Sequence, residues 1–263
     1  MRYEKKGRYL SAVVSILLIW SALFSLAGCG GTKSAAGNEG RADSQENGFL
    51  KVGYSADFSE DSIPDPMAGS SEGMLTIRDC AGRETEIPAD PERIAVLDSF
   101  AGEAAVMIGA GERMVTCPNG VKSDSLLCEI CPSLKDVSVV MSGGSFNAEA
   151  LLTLSPDVII IKEGILSSEE EKAKLDKLGI PYLVSTYENM AEQMYAIRMI
   201  GAAAGGQYRE NAEKIIAYYC DVIRRVCVAA EKIPEAERKT VYHSINEAVR
   251  TDGENSLGND WIS

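Results

Sequence analysis

The chain has 263 residues, enough for one large domain or two small ones, and its 45% hydrophobic and 25% charged residues are ordinary for a globular protein. Its formal net charge of −13, with no basic stripe in the body of the chain, argues against nucleic acid as a partner, because phosphate backbones select clustered Lys and Arg. Neither a P-loop nor a dinucleotide fingerprint is present in the sequence, so no cofactor is expected.

Residues 1–28 have the pattern of a secretory signal peptide, with four basic residues before an uncharged apolar stretch. A transmembrane helix is the alternative, since about 20 apolar residues span a bilayer, but interspersed serines weaken it. The segment Leu26-Ala27-Gly28-Cys29 is similar to the lipobox of bacterial lipoproteins. That resemblance implies cleavage before Cys29, lipidation of Cys29, and a protein anchored to the cell membrane on its extracytoplasmic face.

Residues 29–73 are expected to form the lipidated cysteine and a flexible tether. The stretch is rich in Gly, Ser, Ala, Asp and Glu, and it has too few large apolar residues to offset the entropy of ordering. Order is expected to begin at Met74, with two short strands over 75–79 and 84–88 around a turn at Gly82.

An α/β lobe is predicted over residues 74–205, because strand and helix patterns alternate there. In the segment 157–161, the four residues after Asp157 are apolar without alternation, which is typical of a parallel strand covered by helices on both faces. The predicted strands lie at 94–97, 113–117, 136–140, 157–161 and 181–185. The predicted helices lie at 102–110, 148–154, 167–179 and 190–204.

A long helix is predicted from about 207 to 231, where apolar residues recur at helical spacing. About 25 residues would reach roughly 37 Å, so residues 206–233 are interpreted as a connector between two bodies. A strand is expected at 239–245. Residues 234–263 are then the start of a second lobe that is incomplete.

The numbers of cysteines and histidines limit which metal, redox and catalytic sites the chain can form. Six cysteines remain besides Cys29, and Cys128 and Cys131 form a CxxC motif. Inert thiols or a local disulfide are the favoured interpretation, with a redox pair or half of a zinc site as alternatives. Because His243 is the single histidine, a metal site built on imidazoles is not expected. No G-x-S-x-G motif indicates a hydrolase.

Candidate ligand-binding residues follow the predicted strands, because ligands bind at the carboxyl ends of strands in open parallel sheets. Asp98 to Phe100 follow one strand, Lys162 and Glu163 follow another, and Tyr242 and His243 lie in the last one. The glycine-rich residues 142–147 precede a helix, which suits either a tight turn or an anion site.

Two motifs resemble one family. D-x-x-G-R-x-x-x-x-P-x-x-P-x-R-I begins at Asp79, and N-x-E-x-L-L-x-L-x-P-D-V-I begins at Asn147. They look like the substrate-binding proteins of ABC importers, of the iron-siderophore, haem and cobalamin type, and the resemblance covers about 74–245. It implies a bilobal protein with two parallel-sheet lobes joined by one long helix. This chain would then hold the N-terminal lobe, the connector helix and only the start of the second lobe.

The resemblance also implies a function. The protein would not be an enzyme; it would capture a ferric siderophore, haem or corrinoid and deliver it to an ABC permease and its ATPase, and Glu149 would pair with permease arginines. A surface α/β enzyme, or an adaptor lobe that senses a ligand without transport, is the alternative. The implied ligand-facing residues are Asp98, Ser99, Phe100, Gly143, Gly144, Ser145, Phe146, Lys162, Glu163, Tyr242 and His243.

Overall fold

The computed structural model describes Leu50 and residues 52–244, 251, 253 and 256–262. All of them fall within one compact unit, Glu46–Ser263. The predicted signal peptide and Cys29 lie outside the described residues. None of the helices in the described part of the chain is both long and apolar enough to cross a membrane.

The strands form three sheets. In chain order they are β1 (Met67–Ser71), β2 (Met74–Arg78), β3 (Glu84–Pro88), β4 (Ile94–Leu97), β5 (Met114–Thr116), β6 (Met141–Ser142), β7 (Ser145–Phe146), β8 (Val158–Lys162) and β9 (Tyr182–Ser185). The first three make an antiparallel sheet in the order β1-β2-β3, and β6 and β7 make a short hairpin. The remaining four make a parallel sheet in the order β5-β4-β8-β9.

Helices separate most of these strands. They are α1 (Ser99–Met107), α2 (Asn119–Ser123), α3 (Ser125–Ile130), α4 (Ala148–Thr153), α5 (Glu169–Leu178), α6 (Met190–Ala204), α7 (Gly206–Ala230) and α8 (Leu257–Ile262). Short 3-10 turns occur at Glu60–Ser62, Gly111–Arg113, Pro132–Asp136, Glu163–Ile165 and Glu235–Glu237. The parallel sheet with its helices confirms the predicted α/β class.

The parallel sheet is buried on both faces, which explains why its strands are apolar without alternation. Successive residues of a strand point to opposite faces, so Ile159 and Ile160 enter different cores. Val96, Ile160 and Leu183 pack with residues of α1, α6 and α7. Leu97, Ile159 and Val184 pack with residues of α4 and α5.

Order begins earlier in the chain than the sequence indicated. The tether was expected to reach residue 73, but β1 pairs with β2, and Phe58 and Ile63 are only 3% and 2% exposed. Both side chains join the core that contains α6 and α7. The amino-acid composition of residues 29–73 does not reveal this contact, because the partners of these two side chains lie far away in sequence.

Two predicted strands are wrong. Within 136–140, Asp136 ends a 3-10 turn and Ser138 makes a single bridge to Thr116. Residues 238–244 are irregular, and Val241 and Tyr242 are 61% and 64% exposed. A strand is stable only beside another strand, and no described strand lies next to this segment.

Helix α7 packs along α6 and then extends beyond it. Its buried residues, Ala212, Ile216, Cys220 and Ile223, form one helical face. Close approach depends on Gly201 of α6, where a Cβ atom would lie 2.5 Å from the Ala212 Cβ atom. Past Ile223 the helix becomes exposed: Val226 is 60% exposed, whereas Cys227 is half-buried.

Candidate functional site

The carboxyl ends of β4, β8 and β9 place polar side chains along one edge of the parallel sheet. Asp98 follows β4, Lys162 ends β8, and Ser185 ends β9. In the sheet Leu97 lies opposite Ile161, and Ile161 lies opposite Val184. Asp98, Lys162 and Ser185 each follow one of these residues, so the three lie side by side on neighbouring strands. We refer to this edge, with Phe100, Glu163, Thr186 and Tyr187, as the carboxyl edge.

Asp98 has two local roles at the carboxyl edge. It is 8% exposed, and its carboxylate accepts a hydrogen bond from the Ala101 backbone N–H at 3.1 Å, which caps α1. Burial raises the pKa of Asp98, while the Ala101 N–H and the positive charge of Lys162 act against that rise. The sequence pattern predicted a helix that begins at residue 102. The cap at Asp98 explains why α1 begins earlier, at Ser99.

Ser185 and Thr186 come from the loop that leaves β9. The Thr186 hydroxyl donates to the Glu163 carboxylate at 3.0 Å and so ties this loop to the end of β8. Ser185 is 2% exposed, and its Oγ makes no hydrogen bond of normal geometry with any described residue, although it lies close enough to Asp98 to lower that residue's pKa. A buried hydroxyl of this kind retains hydrogen-bonding capacity at the edge.

An aromatic pair adjoins these polar groups. The rings of Phe100 and Tyr187 are 4.6 Å apart between centroids and inclined at 60°, a geometry that aromatic side chains favour. Both residues are half-buried, so part of each ring faces solvent. Burial raises the pKa of Tyr187, which keeps its phenol neutral at physiological pH.

Sequence reasoning named four of these residues and missed three. Asp98, Phe100, Lys162 and Glu163 lie together as expected for the ends of neighbouring strands, and Ser99 is exposed beside them. The three that were missed all follow β9. Because 181–185 was predicted as a strand, the rule that ligands bind at strand ends would have reached them. They are Ser185, Thr186 and Tyr187.

The glycine-rich segment forms the β6–β7 hairpin against α5. Gly143 turns the hairpin with a φ of +62° and has open space around it, as has Gly144. The Ser145 hydroxyl and the Phe146 N–H donate to Glu171 at 2.8 and 3.2 Å. Hydrogen bonding, first from Lys174, lowers the pKa of Glu171.

The hairpin and the helix after it leave little room for an anion site. Phe146 is 4% exposed and packs in the core beneath α4 and α5. The first turn of α4 is capped by Asn147, whose side-chain oxygen accepts from the Ala150 N–H at 3.0 Å. These contacts favour the tight-turn interpretation of residues 142–147. Glu149, in the first turn of α4, is exposed.

Tyr242 and His243 lie in the irregular segment after α7. Tyr242 is 64% exposed. The His243 ring stacks edge-on against Trp261 of α8, with centroids 5.9 Å apart. His243 therefore lies beside α8, and neither residue belongs to the parallel sheet.

A groove of about 1150 Å³ lies between the start of α6 and the exposed end of α7. Helix α8 borders it, and Asp260 of that helix accepts hydrogen bonds from the Tyr54 hydroxyl at 2.7 Å and the Met190 N–H at 2.8 Å. Since α6 follows β9, this groove lies at the same end of the parallel strands as the carboxyl edge. Residues from both ends of the described chain meet there.

The cysteines of the described part of the chain are free thiols. Across the whole described part of the chain, no group of three or more His, Cys, Asp or Glu side chains is arranged to hold a metal ion. The carboxyl edge offers hydrogen-bonding groups, one exposed ammonium and a ring pair, which suit non-covalent binding of a ligand.

Comparison with solved structures identifies the fold. A periplasmic solute-binding protein from Veillonella parvula matches with a TM-score of 0.52 and 23% identity, over 62% of this chain and 50% of that chain. The molybdate periplasmic binding protein MolA of a Haemophilus influenzae ABC transporter matches with a TM-score of 0.55 and 16% identity, over 65% and 58%. Ceue of Helicobacter pylori, solved with Ni(II) bound, matches with a TM-score of 0.57 and 22% identity, over 70% and 58%.

These likenesses establish a shared fold and confirm the fold expected from the two motifs. The chain spans about half the length of the solved structures that it matches. No family model matches the chain. No curated protein sequence matches it either.

Proposed function

We propose that this chain is the N-terminal lobe and connector helix of an extracytoplasmic substrate-binding protein of an ABC importer. Its ligand would be a ferric siderophore or a similar metal chelate, such as haem or a corrinoid, which it delivers to a permease and its ATPase. The observation that carries the proposal is the placement of α7, whose last turns lie across a groove from Glu188 and Met190, directly after Tyr187 of the carboxyl edge. A second body attached there would face Asp98, Lys162 and the Phe100–Tyr187 pair.

A metal chelate suits the residues of the carboxyl edge. A chelator supplies the metal ligands itself, so the protein needs no cluster of His or Cys to hold the ion. What the protein must supply is ring surface and a few hydrogen bonds. Phe100 and Tyr187 offer the ring surface, and Glu163 and Lys162 offer the polar groups.

Fluorescence titration with a ferric siderophore, haem and cobalamin tests the binding step, with Trp261 beside the groove as reporter. Because this chain offers one side of a cleft, we expect weak, saturable quenching by one of the three. Phe100→Ala is expected to weaken it, and Met107→Ala, a change at an exposed apolar residue at the far end of α1, serves as the matched control.

Transport is tested in the source cells by deleting the gene and measuring uptake of each labelled chelate. We expect uptake of one chelate to fall and to return when the gene is restored. Unchanged uptake of all three would contradict the proposal, whatever the titration gives.

The N-terminal segment is proposed to anchor the protein. In this proposal residues 1–28 are removed and Cys29 carries the lipid that holds the protein on the outer face of the cell membrane. Metabolic labelling with a fatty acid should mark the wild-type protein, and Cys29→Ser should abolish the label. Cys227→Ser, which changes a half-buried cysteine of α7, is the control and should retain the label.

A further inference from the structure

The CxxC motif lies where α3 ends. The Cys128 N–H donates to the Asp124 carbonyl at 3.0 Å, and the Cys131 N–H donates to the Leu127 carbonyl at 2.8 Å, so the motif spans one helical turn. Helical geometry places such Cα atoms about 5 Å apart, inside the roughly 4.4–6.8 Å range that disulfides span. The Cys131 backbone leaves the helix, with φ −127° and ψ 84°. Its side chain is therefore not held in a helical direction.

The two thiols make separate hydrogen bonds in this structure. The Cys128 Sγ donates to the Lys122 carbonyl at 3.1 Å, and the Cys131 Sγ lies 3.2 Å from the Ser133 hydroxyl. Both bonds are weak, since sulfur is a poor hydrogen-bonding atom. Rotation about χ1 that turns the two sulfurs toward each other therefore gives up only these weak hydrogen bonds.

The two thiols are similarly buried, with Cys128 9% and Cys131 8% exposed, but they face different surroundings. Cys128 lines a surface cavity of about 500 Å³ together with Lys122 and Lys135. Cys131 instead faces Gly111, where an added Cβ atom would come within 2.7 Å of the Cys131 Sγ. A molecule that enters this cavity therefore meets Cys128 before Cys131.

A third cysteine lies nearby but is poorly placed to react. Cys117 is 1% exposed. Burial raises the pKa of Cys117 to about 11, so its thiol stays protonated at physiological pH. Protonated thiols are poor nucleophiles. The CxxC pair is therefore the reactive part of this cysteine cluster.

We propose that Cys128 and Cys131 form an exchangeable dithiol–disulfide pair in which Cys128 reacts first with a small-molecule disulfide. The Cys128 thiolate attacks one sulfur of that disulfide, whose S–S bond breaks and releases one thiol. The Cys131 thiolate then attacks the Cys128 sulfur and releases the second thiol. In total the two protein thiols lose two electrons and two protons, and the small disulfide gains them.

Peptide mapping of the complete chain tests the pair. The protein is incubated with oxidised glutathione, free thiols are alkylated, and trypsin is added. Trypsin cleaves after Arg113, Lys122 and Lys135, so Cys128 and Cys131 share the peptide 123–135, whereas Cys117 lies in the peptide 114–122. We expect 123–135 to lose two hydrogen atoms and to escape alkylation, and dithiothreitol to restore both thiols.

Two variants test the order of reaction. Cys131→Ser should leave Cys128 as a stable mixed disulfide with one glutathione, because no second thiol can release it. Cys220→Ser, which alters a thiol buried on α7, should leave the oxidation of 123–135 unchanged. Full alkylation of Cys128 and Cys131 in the oxidised wild-type protein would overturn the proposal. A disulfide that joins 114–122 to 123–135 would also overturn it.

Discussion

The Asp79 carboxylate accepts a hydrogen bond from the Val184 backbone N–H at 3.0 Å, although the two residues are 105 positions apart in sequence. The neighbouring Cys80 N–H donates to the Val184 carbonyl at 3.1 Å. Together these bonds pair the turn between β2 and β3 with the outer edge of β9. The antiparallel sheet thus covers an edge of the parallel sheet that would otherwise expose unpaired backbone groups.

Replacing Asp79 should destabilise the lobe strongly. Asp79 is 0% exposed, and its carboxylate also accepts from the Ala81 and Arg83 N–H groups and from the Arg83 guanidinium. Asp79→Ala leaves the buried Val184 N–H and the part-buried Arg83 groups without a partner, so we expect a loss of about 3–5 kcal/mol in the free energy of unfolding, measured with urea. Asp65→Ala is the control, because its ion pair with Arg209 is exposed and worth about 1 kcal/mol or less. Equal losses in the two variants would contradict this account.

The register of α7 on α6 can be tested with one buried and one exposed residue. Ile216 is 0% exposed and Val226 is 60% exposed. We expect Ile216→Ala to cost about 2–5 kcal/mol, the usual range for truncating a buried isoleucine, and Val226→Ala to change stability by about 0.5 kcal/mol or less. A large effect of Val226→Ala would mean that the last turns of α7 pack against the lobe in solution.

Two carboxyl groups should give opposite pH dependences. The pKa of Asp98 is raised in the folded state, mainly by burial. Its contribution to stability is present below the ordinary aspartate pKa and falls as the pH rises through the folded value. Asp98→Asn keeps the helix cap without the charge. We expect its stability relative to wild type to increase from pH 3 to pH 7, measured by urea midpoints at a series of pH values.

Glu171 provides the matched comparison, because hydrogen bonds from Lys174 and Ser145 lower its pKa. Its contribution to stability is present above the ordinary glutamate pKa and is lost as the pH falls through the folded value. Glu171→Gln should therefore be less stable than wild type at pH 7, with the difference shrinking toward pH 3. If the difference in stability from wild type changed with pH in the same direction for both variants, one of the two pKa assignments would be wrong.

Glu149 is predicted to act on transport and not on binding. Its side chain is exposed in the first turn of α4, so Glu149→Ala should leave ligand affinity unchanged and lower uptake by intact cells. Glu112→Ala alters another exposed glutamate, which lies in the 3-10 turn just before β5, and should leave uptake unchanged. If Glu149→Ala reduced binding and uptake equally, contact with the permease would not be its role.

The elements with strong local signals were predictable. The buried run of β8 and the helical spacing of α7 were recognised from apolar patterns alone. Helix α5 was predicted over 167–179, where Ser168 caps it, glutamates fill the first turn and Gly179 follows its end. The same patterns placed Asp98, Lys162 and Glu163 after neighbouring strands. These signals are local, because periodicity and capping depend on residues a few positions apart.

Long-range contacts decided the rest. Phe58 and Ile63 are ordered because a core built from distant helices receives them, and residues 239–244 are irregular because no described strand lies beside them. Only the folded chain brings Thr186 to Glu163, Tyr187 to Phe100, and Asp79 to Val184. Local sequence patterns identify the segments that can bury an apolar face. The tertiary structure determined which faces meet, since pairing energy depends on partners that no local pattern contains.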